Sequence, residues 1–270
     1  MESATRRVST RLAIEVDGPV RLEVQVSVSG FSSTAVAESL EAVSGGRPVT
    51  MSEVRLPDGG RVHTCHPPLG RLEIAYDAQI RGTAPVAGVN AADRIVYRRP
   101  SRYAESDRLA AMAQAEFAGI TQPEDLLAAV SSWVGDRLRY VPGSSGPSDG
   151  AVDTMLQRQG VCRDYAHLVI ALLRGMDVPA RLAAVYAPGL QPMDFHAVAE
   201  AAVGDLWRVV DATLLAPRSS LIRIATGRDA ADTAFLSSYG AQATLIESTV
   251  TATTDGTLPA DDVTELISIS

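Results

Sequence analysis

The hydrophobic pattern of the chain changes at Pro100. Before this residue, apolar and polar residues alternate, most clearly over residues 20–28 and again over 72–76. A period of two is typical of strands with one face on a core and one face in solvent. After Pro100 the apolar residues follow helical spacing, first over residues 106–117. The pattern therefore predicts an α+β protein that begins with an antiparallel β domain.

The same patterns divide the chain into three parts. Residues 1–100 are predicted to form the antiparallel β domain, residues 101–240 a second domain, and residues 241–270 a C-terminal strand and acidic tail. Within the first part, residues 57–60 (PDGG) predict a turn between two strands, because Asp-Gly pairs favour the positive φ of tight turns. The stretch 32–41 is ambiguous, and a short helix is one interpretation.

The composition is that of a globular protein, with 46% hydrophobic and 21% charged residues. A net charge of −8 disfavours nucleic acid and anionic lipid as partners. Residues 1–11 contain no apolar run of signal-peptide length, and no stretch approaches the ~20 apolar residues of a membrane span. We therefore predict a cytoplasmic protein without a membrane or nucleic-acid partner.

Two cysteines, Cys65 and Cys162, are too few to staple a fold of this length, and we expect free thiols. Cys162 precedes apolar residues at helical spacing that end near Gly175. It would lie in the first turn of a helix, where unpaired backbone N–H groups stabilise a thiolate and an oxyanion beside it. The structural alternative is a small buried residue on the apolar face of that helix.

The segment after this helix predicts a β-hairpin. Gly204-Asp205 indicates a two-residue turn that sets Val203 opposite Leu206. In that register His196 and Asp211 lie on one face as diagonal neighbours on adjacent strands, about 7–8 Å apart between backbones. Side chains bridge such a span, so the carboxylate would orient the imidazole.

Together these predictions assemble a nucleophile, a base and an orienting carboxylate. If the Cys162 helix packs on the hairpin face that carries His196 and Asp211, the thiol meets the imidazole. This is the arrangement used for acyl transfer. For His196 or Asp211 taken alone, an ordinary strand residue is the simpler interpretation.

Six motifs occur in order between residues 100 and 213: residues 100–103 (PSRY), 140–145 (YVPGSS), 160–168 (GVCRDYAHL), 178–181 (VPAR), 194–200 (DFHAVAE) and 207–213 (WRVVDAT). Together they resemble the bacterial form of the transglutaminase-like superfamily of papain-related folds. The resemblance implies a papain-like transglutaminase core, in which a helix carrying the cysteine packs on an antiparallel sheet carrying the histidine and aspartate. An antiparallel β-sandwich-like domain would precede it.

The resemblance also implies roles: Cys162 as nucleophile, His196 as general base and acid, and Asp211 as the residue that orients His196. It implies acyl transfer on a peptide or protein substrate through an acyl-enzyme, with no metal and no cofactor. Bacterial members are regarded mainly as hydrolases, so a thiol protease or amidase is expected and transamidation to an amine is the alternative. Residues 101–240 would be the catalytic core.

Two positions depart from the family pattern. Val198 stands where members commonly have tryptophan, and Ala212 where they commonly have proline. Neither change removes a catalytic group. A second oxyanion donor is unassigned, because Gln157 and Gln159 are more simply interpreted as exposed residues at a helix end.

Two further functions stay open from the sequence. The chain could be a binding module that keeps the fold without catalysis. His63, Cys65 and His66 place three potential metal ligands within four residues, so metal-dependent chemistry is the second, but no second pair occurs at the spacing of a structural zinc site.

His167 is offset around the helix from Cys162 and is predicted to pack or cap.

Overall fold

A computed structural model describes residues 5–30 and 35–270, and these residues have the predicted α+β architecture. The strands are β1 (Thr5–Val16), β2 (Val20–Val24), β3 (Ala35–Ser44), β4 (Arg47–Pro48), β5 (Ser52–Arg55), β6 (Arg61–Cys65), β7 (Gly70–Arg81), β8 (Arg139–Tyr140), β9 (Gln159–Gly160), β10 (Ala180–Tyr186), β11 (Phe195–Val203), β12 (Leu206–Val210), β13 (Ile222–Gly227), β14 (Leu236–Gly240) and β15 (Ala243–Thr254). The helices are α1 (Ala91–Val96), α2 (Ser106–Glu116), α3 (Pro123–Arg137), α4 (Ala151–Gln157) and α5 (Cys162–Gly175).

Two antiparallel sheets form an N-terminal β-sandwich. Their strand orders are β15-β1-β7-β3-β4 and β14-β2-β6-β5. The alternating apolar residues of β1, β2 and β7 lie in one shared core, where Ile14, Leu22 and Ile74 are buried. The turn predicted over residues 57–60 joins the antiparallel strands β5 and β6. The alternation read from the sequence is therefore the inner face of this sandwich.

Part of the ambiguous stretch 32–41 is a strand. β3 begins at Ala35 and pairs antiparallel with β7, while residues 32–34 lie outside the described residues. A short helix is therefore the wrong interpretation for the described part. The local sequence is compatible with either structure, and pairing with a partner distant in sequence decides between them.

The C-terminal strands belong to the sandwich. β14 pairs with β2, and β15 pairs with β1 along nearly its whole length. The segment that follows, predicted as an acidic tail, is held against the core sheet, because the Val209 N–H donates to the Ile267 carbonyl at 2.8 Å and Ile269 is buried. Ile267 and Ile269 follow the last acidic residue of the segment, Glu265. A boundary at residue 240 thus describes the sequence pattern but not the strand pairing.

The second part of the molecule packs helices on a sheet of order β12-β11-β10-β13. α5 is buried along most of its length and contacts β10 and β11. Leu182, Ala199 and Ala201 share its core, and the two alanines allow the helix to approach the strands closely. No helix in residues 5–30 and 35–270 is long and apolar enough to span a membrane.

A buried ion-pair network joins three strands of this sheet. Glu200 on β11 accepts from Arg181 on β10 at 2.9 Å through Oε2. It also accepts from Arg223 on β13 at 2.6 Å through Oε1 and at 2.6 Å through Oε2. Burial alone would raise the pKa of Glu200, but the two guanidinium groups lower it to about 2. Arg181 also lies 4.0 Å above the Trp207 ring. The network fixes β11, the strand that carries His196, relative to β10 and β13.

Candidate active site

Cys162 is the first residue of α5. Asp164 fixes this helix start, because its Oδ2 accepts the Val161 N–H at 2.8 Å and its Oδ1 accepts the Ser145 hydroxyl at 2.8 Å. A Cβ on Gly160 would lie 2.6 Å from the Asp164 side chain, so the position requires glycine. The glycine and aspartate that flank the cysteine in the sequence therefore determine where the sulfur lies.

The two thiols differ in environment. Cys162 is half-buried at the positive end of the helix dipole, which favours negative charge on the sulfur. Cys65 is 3% exposed in the core of the sandwich, and burial raises the pKa of its thiol. Both cysteines are free. Of the two cysteines, only Cys162 combines solvent access with an electrostatic environment that favours a thiolate.

The hairpin of β11 and β12 has the predicted register. Val203 pairs with Leu206, and the pairing continues to Ala199 opposite Val210. Gly204 in the turn has a φ of 58°, the left-handed conformation that favours glycine there. This register sets the start of β11 beside the residue that follows β12.

His196 and Asp211 meet at that place. His196 Nε2 lies 2.8 Å from Asp211 Oδ2. The second carboxylate oxygen, Oδ1, accepts the backbone N–H of Thr213 at 2.9 Å and its hydroxyl at 2.7 Å. Three donors therefore hold the carboxylate in one orientation. Thr213 is a supporting residue that the sequence interpretation did not assign.

The pair is charged although both side chains are buried. Burial alone would lower the pKa of His196, but the Asp211 carboxylate and Cys162 raise it to about 10. Burial alone would raise the pKa of Asp211, but His196 and Thr213 outweigh burial, so it lies below its usual range. An imidazolium and a carboxylate are thus the forms present at neutral pH.

The other ring nitrogen of His196 is available for the thiol. Nδ1 is buried and makes no regular hydrogen bond within the described ranges, and the ring interacts with the Cys162 side chain. Contacts of this kind in a free enzyme are often poorly aligned and tighten when substrate binds. The structure therefore brings Cys162, His196 and Asp211 together.

The way in which they meet differs from the sequence interpretation. The sequence interpretation made the meeting conditional on α5 packing on the hairpin face of the His-Asp pair, and α5 packs on the other face of the sheet. α5 shares a core with Ala199 and Ala201, while Val198, two residues from His196, belongs to a separate cluster. Cys162 interacts with His196 because each is near the start of its element. The sulfur meets the ring at the end of the helix, not across its face.

Tyr140 is a site residue that sequence reasoning noted only as part of a motif. The parallel pairing of β8 with β9 sets Tyr140 opposite Gly160, two residues before Cys162. Its hydroxyl interacts with the sulfur and the backbone N–H of Cys162. Burial and the neighbouring Cys162 raise the pKa of Tyr140 to about 12, so the phenol remains a hydrogen-bond donor at neutral pH. Only the motif at residues 140–145 signals this contact in the sequence.

The remaining candidates lie elsewhere. Gln157 is exposed at the end of α4, and Gln159 pairs through its backbone with Arg139. His167 is fully buried, accepts the Ala230 N–H at 3.1 Å, and has its pKa lowered by burial to about 3. His167 therefore packs, as predicted.

The histidines near Cys65 do not form a site with it. His63 is buried with Nε2 3.4 Å from Glu53, while His66 is exposed. In the described part of the chain, no group of three His, Cys, Asp or Glu side chains is arranged to hold a metal ion.

These features define a class of protein: a helix that begins at a cysteine, packed on an antiparallel sheet with a His-Asp pair, behind a β-sandwich. A family model described as the transglutaminase-like superfamily matches residues 110–212. The chain belongs to the transglutaminase-like superfamily.

Two relatives extend this assignment. The solved structure of a candidate cysteine protease from Cytophaga hutchinsonii is 31% identical, covers 99% of this chain and 97% of its own, and has a TM-score of 0.89. The similarity therefore includes the β-sandwich. An uncharacterized protein of Mycobacterium leprae is 27% identical over 147 residues, which are 50% of this chain and 52% of that protein. The chain thus spans about half the length of this curated relative.

Proposed function

We propose that this chain is a cysteine-dependent hydrolase of peptide or amide bonds that works through an acyl-enzyme. The observation that carries the proposal is the position of His196, bonded to Asp211 at 2.8 Å through one nitrogen while its ring interacts with Cys162. A thiol, an imidazole and an orienting carboxylate are the groups that acyl transfer uses. The similarity to a candidate cysteine protease supports hydrolysis over other acyl transfers.

In the first half-reaction, the Cys162 thiolate attacks the amide carbonyl and a C–S bond forms. The carbonyl oxygen becomes an oxyanion, which replaces the contact between the backbone N–H of Cys162 and the Tyr140 hydroxyl and accepts from both groups. The C–N bond then breaks, and the His196 imidazolium gives its proton to the departing amine. The products are a thioester on the enzyme and a free amine.

In the second half-reaction, His196 is neutral and acts as the base. It takes a proton from a water molecule, whose oxygen attacks the thioester carbonyl. The C–S bond breaks, the acyl group leaves as a carboxylic acid, and the proton on His196 restores the starting ion pair. Asp211 keeps the proton-bearing Nε2 directed toward itself throughout, which leaves Nδ1 for the sulfur and the water.

Tyr140→Phe tests the oxyanion role. We expect kcat to fall about 10²-fold with little change in KM, because one donor to the oxyanion is lost while the ring stays in place. Steady-state kinetics on one peptide substrate measures both constants. Tyr165→Phe is the matched control, since its ring lies 6.0 Å from that of Tyr140 and it should retain wild-type kcat. An unchanged kcat in Tyr140→Phe would remove the hydroxyl from the mechanism.

Alkylation by iodoacetamide tests whether the thiol is activated. At pH 7, Cys162 is expected to react at least about tenfold faster than the same cysteine in urea-unfolded chain, because helix and imidazolium favour the thiolate. The rate is followed by mass spectrometry of the Cys162 peptide. Both rates are measured in the Cys65→Ala variant, so that Cys162 is the one thiol present.

A catalytically silent binding module predicts a different result. Its Cys162 would react no faster in the folded chain than in the unfolded one, and His196→Ala would not change the rate. Fast alkylation that His196→Ala slows is the result expected of the enzyme. The comparison with unfolded chain separates activation of the sulfur from mere accessibility.

A further inference from the structure

A cavity of about 440 Å³ opens beside Cys162 and His196. Its volume is in the range of small-ligand sites and accommodates a large side chain. Most of its lining is apolar. The residues that form its apolar walls include Leu182, Ala184, Ala197, Ile224, Phe235 and Leu236.

The walls come from both parts of the molecule. Leu182 and Ala184 lie on β10 of the core sheet, while Leu236 begins β14, which pairs with β2 of the sandwich. Phe235 stacks on Phe195 with ring centroids 4.9 Å apart. Because paired strands and stacked rings form the walls, the cavity is shaped before substrate binds.

The charged groups of the lining are partly engaged in hydrogen bonds. Besides the Cys-His pair, the described residues that line the cavity include two charged ones, Arg163 and Asp194. Arg163 donates through Nη2 to Ser145 Oγ at 2.5 Å and to the Gly146 carbonyl at 2.7 Å, while its buried Nε has no hydrogen-bond partner among the described residues. Asp194 is exposed, and its Oδ1 accepts the N–H of the next residue at 2.7 Å. A charged substrate side chain buried among the apolar walls, away from Arg163 and Asp194, would lack a partner, which is costly.

We propose that this cavity binds a large apolar side chain, of the leucine or phenylalanine class, on the acyl part of the substrate. The inference rests on the proposed function, because the sulfur marks where the acyl carbon becomes attached. The substituent of that carbon then lies beside the cavity that the sulfur borders. Gln25, Thr233 and Ser248 are the neutral polar residues of the lining, so a glutamine side chain is the sharpest competitor.

A series of blocked aminoacyl 4-nitroanilides tests the proposal, because the leaving group stays constant while the acyl residue is Leu, Phe, Ala, Gln or Glu. We expect kcat/KM for Leu and Phe to exceed that for Ala by about 10²-fold, and that for Glu by more. Release of nitroaniline gives the rate. A series in which Gln or Glu ranks first would overturn the proposal.

Filling the cavity should remove this preference. Ala184→Leu is expected to reduce the ratio of kcat/KM for Leu over Ala substrates at least about tenfold, because the added side chain occupies the space. Ala111→Leu, on the exposed face of α2, is the matched control and should keep the ratio. If Ala184→Leu fails to fold, Leu236→Ala weakens the opposite wall and should also lower the ratio.

The outcomes separate this inference from the proposed function. If the enzyme is active but kcat/KM is the same for all five acyl residues, the cavity assignment is wrong and the proposed hydrolase function still holds. No turnover of any substrate, together with slow alkylation of Cys162, contradicts the hydrolase itself. A steep preference that Ala184→Leu removes supports both.

Discussion

Replacing Cys162 by alanine is expected to abolish turnover, lowering kcat by at least about 10⁴-fold. Without the sulfur neither the oxyanion nor the thioester forms. The Tyr140 hydroxyl and the helix N–H groups then have no oxyanion to stabilise. Alanine is a good helix former and removes little buried volume at this half-buried position, so the fold should persist. Kinetics on the leucyl substrate and thermal unfolding measure the two effects.

Cys65→Ala is the matched control for this loss. It is expected to keep wild-type kcat but to unfold at a lower temperature, because a buried side chain is truncated in the sandwich core. One alanine variant should therefore lose activity and the other should lose stability. Retention of more than about 1% of wild-type kcat in Cys162→Ala would contradict nucleophilic catalysis by this residue, given the size of the expected loss.

The wild-type product identifies what resolves the thioester. We expect the free acid to predominate when a primary amine competes with water, and the Cys162→Ala variant to form neither acid nor amide. The chain contains no lysine, so an amine adduct comes from the added amine or from the substrate and never from self-modification through lysine. An amide as the main product would make the chain a transamidating member of the same superfamily.

The parts of the site that the sequence predicts are set by local rules. The start of α5 is predictable because Cys162 directly precedes an apolar helical pattern, and Asp164 lies in its first turn. The position of His196 relative to Asp211 follows from a two-residue turn, since the turn fixes the register of the whole hairpin. Period and turn chemistry therefore predict where each group lies on its own element.

Contacts between elements that are distant in sequence are harder to predict from the sequence. The end-on meeting of Cys162 and His196 depends on which sheet face α5 covers, and both faces of β11 are buried, so alternation does not distinguish them. Tyr140 reaches the sulfur through a strand pair of two residues each, too short for a periodic signal. The cavity wall at Leu236 depends on a C-terminal strand that returns to the sandwich. These features follow from packing and not from any segment alone.

Asp211→Asn is expected to lower kcat by about 10³–10⁴-fold while leaving the nucleophile in place. In the wild type, Oδ1 accepts two donors from Thr213 and Oδ2 faces His196 Nε2. An asparagine can satisfy the Thr213 donors only with its oxygen, which turns its NH₂ group toward Nε2. The ring must then carry its proton on Nδ1, where it meets the thiol as a donor and cannot serve as the base.

The pH profile gives a readout that loss of structure would not produce. The pKa of His196 is raised from 6.5 to about 10, so the imidazolium persists in the wild type as the pH rises toward 10. Removing the carboxylate leaves burial, which lowers the pKa and is the largest influence on it, opposed by Cys162 alone, so the imidazolium is then lost at lower pH. We therefore expect the alkaline limb of kcat/KM to move toward neutral pH in Asp211→Asn, and Cys162 alkylation at pH 7 to slow because the imidazolium no longer favours the thiolate.

The same substitution elsewhere on the hairpin provides the control. Asp205 lies in the turn, 95% exposed and 2.8 Å from Arg94, and Asp205→Asn should change neither kcat nor the alkaline limb. If Asp211→Asn kept the wild-type alkaline limb while folding normally, the carboxylate would not be what holds the imidazole charged, and its role would be reduced to packing. A shifted limb with normal unfolding instead assigns the effect to the charge on Asp211, because the asparagine preserves the shape and removes only the anion.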